Sequence, residues 1–305
     1  SQPDVSIAFA LAFMLITMLV VMCGVGGGIE RVCSVGMPAL FFILIICIIR
    51  SCTLPGAADG LKYMFVPGWA VANGIIDEAP GFWRVLTAAG GQMFFSLSLG
   101  AGVMITYGSY LDKKQDLGKS AMIIVGMDTV VALMAGLCVI PGRFALDPTG
   151  KLGGPSLLFV TMQNVFDRMG AAGPIFGILF YLLVVFAAVS SSISLLEAVV
   201  AHFVDKARDE GKGDKRKLYS LIGAIGAGIL CVIVCLDALG NAGISPADIL
   251  GMRVDPSDEV PTWSADWLDF FDCIAEGILM PLGALLMLSL IPISEPTRHA
   301  QISYA

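Results

Sequence analysis

Asp128 stands in the run MIIVGMDTVVALMAG, where no basic residue accompanies it. At the centre of a bilayer an acid costs about 2.5–3.5 kcal/mol, so it faces other helices and needs a partner. A cation is the natural partner; a protonated or hydrogen-bonded structural acid is the alternative. A second polar cluster, Ser190, Ser191 and Ser192 in FAAVSSSISLLE, follows the small residues Ala187 and Ala188. Hard cations take oxygen ligands, and neighbouring helical hydroxyls plus a carbonyl one turn earlier supply three of them. Small residues at helix interfaces are the competing explanation. A third feature is SLSLGAG, Ser96 to Gly102, in the middle of an apolar stretch running from Phe82 to Tyr110. Glycine weakens a helix interior and serine competes for its own backbone, so this helix is expected to open here and present free carbonyls and amides. Broken helices at the membrane midplane are the architecture of ion-coupled transport sites.

Other polar residues are less specific. Glu197 and Glu276 lie in apolar runs and suit buried polar partners, and the pattern does not say of what. His202, beside Asp205 at the end of its run, suits a membrane interface better than a proton relay. Asp269 and Asp272 in WLDFFDC are spaced for one helix face, as a gate or a solvated rim.

These residues need membrane helices to position them. The 305 residues are 57% apolar and only 14% charged, and the mean hydropathy is +0.85, which excludes an ordinary soluble domain. Apolar runs recur at Val5–Cys23, Val32–Ile49, Phe82–Tyr110, Ser120–Pro141, Pro174–Val204, Leu218–Leu239 and Trp267–Leu290, predicting seven transmembrane helices. The net charge of -7 arises in the loops, and no basic tract interleaved with aromatics suggests nucleic acid. The eight cysteines lack metal-type spacing and read as small hydrophobes; Cys231 and Cys235 share a helix face.

Short loops carrying Lys113, Lys114, Lys119, Lys206, Arg208, Lys212, Lys215, Arg216 and Lys217, with Arg31, are expected on the cytoplasmic side. Arg50, Lys62, Arg84, Arg143, Lys151, Arg168 and Arg253 are spread over longer outer loops. In one of these, Ser156 to Met169 reads as a short amphipathic helix between glycines, a lid or a packed surface helix. From Leu288 the chain reads LSLIPISEPTRHAQISYA, which resembles a translated sequencing adapter; residues 288–305 are expected to be a non-native tail behind a single transporter domain, 1–287.

Taken together, GGIERV, MPALFF, IRSCTLPGAADGLKY, GQMFFSLSLGAGVMITYGSYL and FAAVSSSISLLE resemble the neurotransmitter:sodium symporter family, the LeuT-type amino-acid transporters. The resemblance runs over nearly all of residues 5–287. It implies an all-α membrane fold of inverted repeats, of which this chain holds helices four to ten, with the unwound helix at about 96–102. A chain lacking the first helices is expected not to transport by itself.

The resemblance also implies roles. Ser96 looks like the hydroxyl ligand of a first sodium ion. Asp128 falls where most relatives have an asparagine ligand to that ion. Chloride-dependent relatives have a serine one turn later; here it is Ala132, so Asp128 is expected to replace chloride in balancing the sodium charge. The Ala187 carbonyl with the Ser190 and Ser191 hydroxyls matches a second sodium site. Phe95, Ser96, Ser98, Ala101, Ser191 and Leu195 match substrate-lining positions, Phe95 as the lid and Ala101 as a small residue that deepens the pocket for apolar or aromatic side chains. Asp272 matches the acid of the outer gate; Asp205, with Ser109 and Tyr110 nearby, matches the inner gate. The expected activity is sodium-coupled symport of neutral amino acids in the inner (plasma) membrane, with a small amine or osmolyte as the alternative substrate. An intramembrane hydrolase built on Ser98 fits poorly, since no histidine lies mid-span to activate it.

Overall fold

The fold was taken from a computed structural model of the chain, and the residues described are 3–24, 30–66, 68–111, 114–146, 159, 162–167, 169–252 and 260–294. Among these residues the regular structure is helical throughout. Six helices are long and apolar enough to cross a membrane: Pro3–Met22, Cys33–Cys52, Leu117–Ala145, Gly170–Asp209, Arg216–Asp237 and Trp267–Ser289. The expected seventh, Phe82 to Tyr110, is present as two shorter pieces. Each of the seven apolar runs thus falls on helical structure, the third in two pieces, because length and hydropathy are what a bilayer selects.

The elements in order are α1 (Pro3–Met22), α2 (Glu30–Cys52), α3 (Ala57–Phe65), α4 (Trp69–Ala72), α5 (Phe82–Ser96), α6 (Val103–Ser109), α7 (Leu117–Leu146), α8 (Met162–Asp167), α9 (Gly173–Asp209), α10 (Arg216–Asp237), α11 (Pro246–Ile249), α12 (Thr262–Ala265), α13 (Trp267–Asp272) and α14 (Met280–Ser294). Between α13 and α14, Cys273–Leu279 winds as a π-helix, so the last span is one helical run with a wide turn inside it. Of the amphipathic segment predicted at Ser156 to Met169, helix is seen at Met162–Asp167, and 156–158, 160, 161 and 168 lie outside the described residues. The segment predicted to be non-native begins inside α14, which runs on to Ser294; residues 295–305 lie outside the described residues.

The chain divides into two compact units. One draws on residues 30–85 and 114–191. Its core gathers Ile43, Leu44 and Cys47 of α2, Cys138 of α7, Met162, Val165 and Phe166 of α8, and Phe180 of α9. Here α3 lies tight against α7: a Cβ on Gly60 would sit 2.6 Å from the Pro141 Cα. Phe144 at the end of α7 receives Tyr63 at 5.1 Å, Trp69 at 5.9 Å and the Arg143 guanidinium at 5.6 Å. All eight cysteines are free thiols, and Cys47 and Cys138 are buried in this core as expected of small hydrophobes.

The other unit draws on residues 1–29, 86–113 and 192–305. In it α1 packs along α10, leaving a cavity of about 440 Å³ lined by side chains such as Leu11, Met14, Ala224 and Ile229. The second half of α9 packs on α10, where the Gly223 Cα faces Leu196 and Val200. Thr17, fully buried, shares a 2.8 Å hydrogen bond with Ser192 and donates to the Phe13 carbonyl. A hydroxyl buried in this way needs both bonds to offset its desolvation.

Candidate functional site

The break in the third span falls where the sequence placed it. α5 ends at Ser96 and α6 begins at Val103, leaving 97–102 without regular helix. Three of these residues have left-handed backbone: Ser98 at φ 51°, Gly100 at 80° and Gly102 at 78°. Glycine accepts that conformation without cost, whereas Ser98 is held in it, the type of strain that clusters at functional sites. The Leu99 amide still reaches the Phe94 carbonyl at 2.8 Å and the Ser98 amide the Phe95 carbonyl at 2.9 Å. The chain therefore turns sharply without unravelling.

The break is seated on the last span by backbone contact. A Cβ on Gly100 would overlap the Met280 carbonyl, and one on Gly283 would overlap the Gly100 carbonyl. Gly100→Ala is accordingly expected to destabilise the protein by about 3 kcal/mol, summing left-handed strain and overpacking. Gly102→Ala has similar backbone strain but open space around it, and is expected to cost about 1–2 kcal/mol. Thermal melting of the complete protein in detergent separates the two. Beside the break lies an apolar cavity of about 520 Å³, bordered by Met93, Phe94, Ser98, Leu99, Pro281 and Ala284 among others. Of the substrate-lining candidates it includes Ser98 and not Phe95, Ser96, Ala101, Ser191 or Leu195. Phe95, Ser96, Ala101 and Leu195 are exposed, and Ser98 is half-buried.

The polar residues of α9 divide between the two units. In the first half, the Ser190 hydroxyl donates to the Ala187 carbonyl at 2.9 Å, so two of the three candidate ligands of the second sodium ion are adjacent; Ser191 is exposed. Asp128 lies half-buried on α7 in that unit. Among the described residues no three His, Cys, Asp or Glu side chains gather as a metal site. The candidate donors are instead mostly hydroxyls and carbonyls, which suit a hard alkali cation.

In its second half α9 carries the feature that sequence reasoning did not foresee. Glu197 is fully buried; its carboxylate takes the Arg216 guanidinium at 2.5 Å and the Tyr110 hydroxyl at 2.6 Å. Arg216, at the first turn of α10, also donates from Nε to the Val21 carbonyl at the end of α1, 3.1 Å away. One turn earlier the Tyr107 hydroxyl donates to Ser194 at 3.3 Å. α6 is thus tied to α9 by two tyrosines, and a single cation joins α1, α9 and α10. Tyr110, expected near Asp205, makes its direct bond to Glu197, and Asp205 is exposed. Ser109 is exposed and donates to the Thr106 carbonyl at 2.6 Å. The missed signal was charge pairing: Arg216 counted as a loop cation, although it opens a span and faces an intramembrane acid without a basic partner on its own helix.

Asp272 ends α13 and is exposed, one helical turn beyond Asp269, as their spacing requires. His202 is exposed, its ring edge-on to Phe203 at 5.4 Å.

The profile of the sodium:neurotransmitter symporter family matches residues 3–251. The chain belongs to this family. It is 36% identical over 292 residues to the sodium-dependent transporter YhdH of Bacillus subtilis, covering 96% of this chain and 58% of YhdH. A sodium-dependent transporter of Haemophilus influenzae is 35% identical, over 93% of this chain and 56% of its own length. Among solved structures, that of MhsT in complex with L-phenylalanine aligns with a TM-score of 0.73 at 34% identity, covering 93% of this chain and 58% of MhsT. The chain thus spans somewhat over half the length of these relatives. Symporters of this family are membrane transporters and not enzymes, so the hydrolase alternative falls, and the LeuT-type fold expected from the motifs stands, in part, in this chain.

Proposed function

We propose that this symporter chain forms part of a transporter that couples the inward sodium gradient to uptake of a neutral amino acid by alternating access, in the plasma membrane. The observation that carries the reading is the break at 97–102 inside a family member: a spanning helix interrupted at left-handed Ser98, Gly100 and Gly102. Opened backbone at membrane depth is tolerated only where it lines a site or is buried in protein. An amino-acid substrate is favoured by the similarity to a Drosophila melanogaster protein named as a sodium-dependent nutrient amino acid transporter, and an apolar or aromatic side chain by small Ala101 at its motif position and by the similarity to MhsT, solved with L-phenylalanine. The test is uptake of labelled neutral amino acids by the complete protein in proteoliposomes, with and without a sodium gradient. Equal uptake in both would overturn coupling, and uptake of amines or osmolytes alone would move the substrate class.

By the family motifs they match, Asp128 is proposed to ligate one sodium ion and the Ala187 carbonyl with Ser190 and Ser191 another. Because Asp128 brings a carboxyl group where most relatives have an amide and Ala132 offers no hydroxyl, chloride is proposed to have no part in the cycle. Replacing external chloride by gluconate is expected to leave the uptake rate unchanged; strict dependence on chloride would sink this assignment.

A further inference from the structure

The last span is fastened at two places and loosened between them. Its middle rests backbone-to-backbone on the break, through Gly100 against Met280 and Gly283. Its outer end is fastened to α10. Asp237, the final residue of α10, is 1% exposed, and its Oδ2 accepts the Trp267 amide at 2.9 Å. The Trp267 indole donates to the Ile244 carbonyl at 2.8 Å, and Asp266 accepts the Asp269 amide at 2.7 Å. Between the two fastenings lies the π-helical turn Cys273–Leu279, and Asp272 stands at its outer edge. A π-turn has a wider, weaker ladder than an α-helix and recurs at functional positions.

Asp237 is costly for a residue that only packs. Its second oxygen, Oδ1, is buried with no hydrogen-bond partner among the described residues. The chain leaving it passes through Ala238, Leu239 and Gly240 at φ 51°, 58° and 75°, so two residues with side chains are held left-handed in succession. This turn brings the Asn241 and Ala242 amides back onto the Asp237 carbonyl at 3.1 and 3.2 Å. Strain and a buried, half-satisfied acid persist where the surrounding structure requires a defined geometry.

We propose that Asp237 is a positioning residue for Asp272: it clamps α13 to α10, so that movement of the break, delivered to α14 at Gly283, is absorbed in the π-turn while the outer carboxylate keeps its place. The role of Asp272 at an outer gate rests on the transporter reading above; the clamp itself does not.

The test uses the complete protein with Asp237→Asn, which keeps an oxygen for the Trp267 amide, and Asp237→Leu, which removes it. Hydrogen exchange in the peptide spanning Thr262 to Asp272 is expected to quicken about tenfold in the Leu variant and to stay near wild type in the Asn variant. In sodium-driven uptake the Leu variant is expected to raise the apparent KM for external substrate about fivefold or more per molecule of protein in the membrane, and the Asn variant to restore it. Wild-type exchange in the Leu variant, a loss confined to Vmax, or an Asn variant that behaves like Leu would each overturn the proposal. Absence of sodium-driven uptake in the wild type would overturn the transporter reading and the gate role; the exchange contrast between the variants would persist, which tells the two failures apart.

Discussion

Arg216→Ala is expected to lower the stability of the complete protein by about 3–5 kcal/mol, the cost of stranding a buried carboxylate. Glu197 has no solvent exposure on its side chain and Arg216 only 17%, so water cannot replace the lost guanidinium. The Tyr110 hydroxyl remains as a donor, and one neutral hydrogen bond does not offset a buried charge. The Val21 carbonyl at the end of α1 loses its partner as well. Replacing both members by apolar residues of similar size, Glu197→Leu with Arg216→Met, is expected to recover most of the loss, since a buried ion pair is worth little against well-packed hydrophobes. Melting curves of the single and double variants in detergent measure this directly. A single variant as stable as wild type would show that the pair is not buried as described. α6 follows the break and is latched to α9 through Tyr110 and Glu197, so Tyr110→Phe is expected to weaken the hold of α6 on α9 without stranding the charge.

If Asp128 ligates sodium as proposed, Asp128→Ala is expected to abolish sodium-driven uptake by the complete protein, and Asp128→Asn to raise the sodium concentration for half-maximal uptake by about a hundredfold. A unit charge about 4 Å from the ion contributes on the order of 4 kcal/mol at an effective dielectric near 20, and the neutral amide forgoes most of it. Asn keeps an oxygen ligand, which is why its effect is on affinity rather than on the existence of uptake. Sodium titrations of uptake in proteoliposomes check both variants. Unaltered sodium dependence in Asp128→Asn would leave Asp128 a structural acid, the reading left open by its half-buried position on α7.

Much of this molecule is legible without its structure. The apolar runs predict each spanning segment because a bilayer sets one length and one polarity. SLSLGAG predicts the interruption because glycine and serine act on their own backbone, and the helix does stop at Ser96 and resume at Val103. The Ser190 hydroxyl meets the Ala187 carbonyl because that bond lies within one turn. What escaped was pairing between distant elements. Glu197 reads as a buried acid with no named partner; its partners are Tyr110, 87 residues away, and Arg216, 19 residues away. Asp237 reads as nothing at all, and its importance appears only when Trp267, 30 residues on, returns to its carboxylate.

The division has a physical basis. The sequence by itself determined which segments span the membrane, where the third span breaks and which family the chain resembles, since these depend on hydropathy, local backbone preference and ordered motifs. Only the tertiary structure decided which carboxylate holds which cation, how closely Gly100 lies on Met280 and where the last span widens into a π-turn. Those depend on backbones meeting within van der Waals distance, which no local pattern encodes.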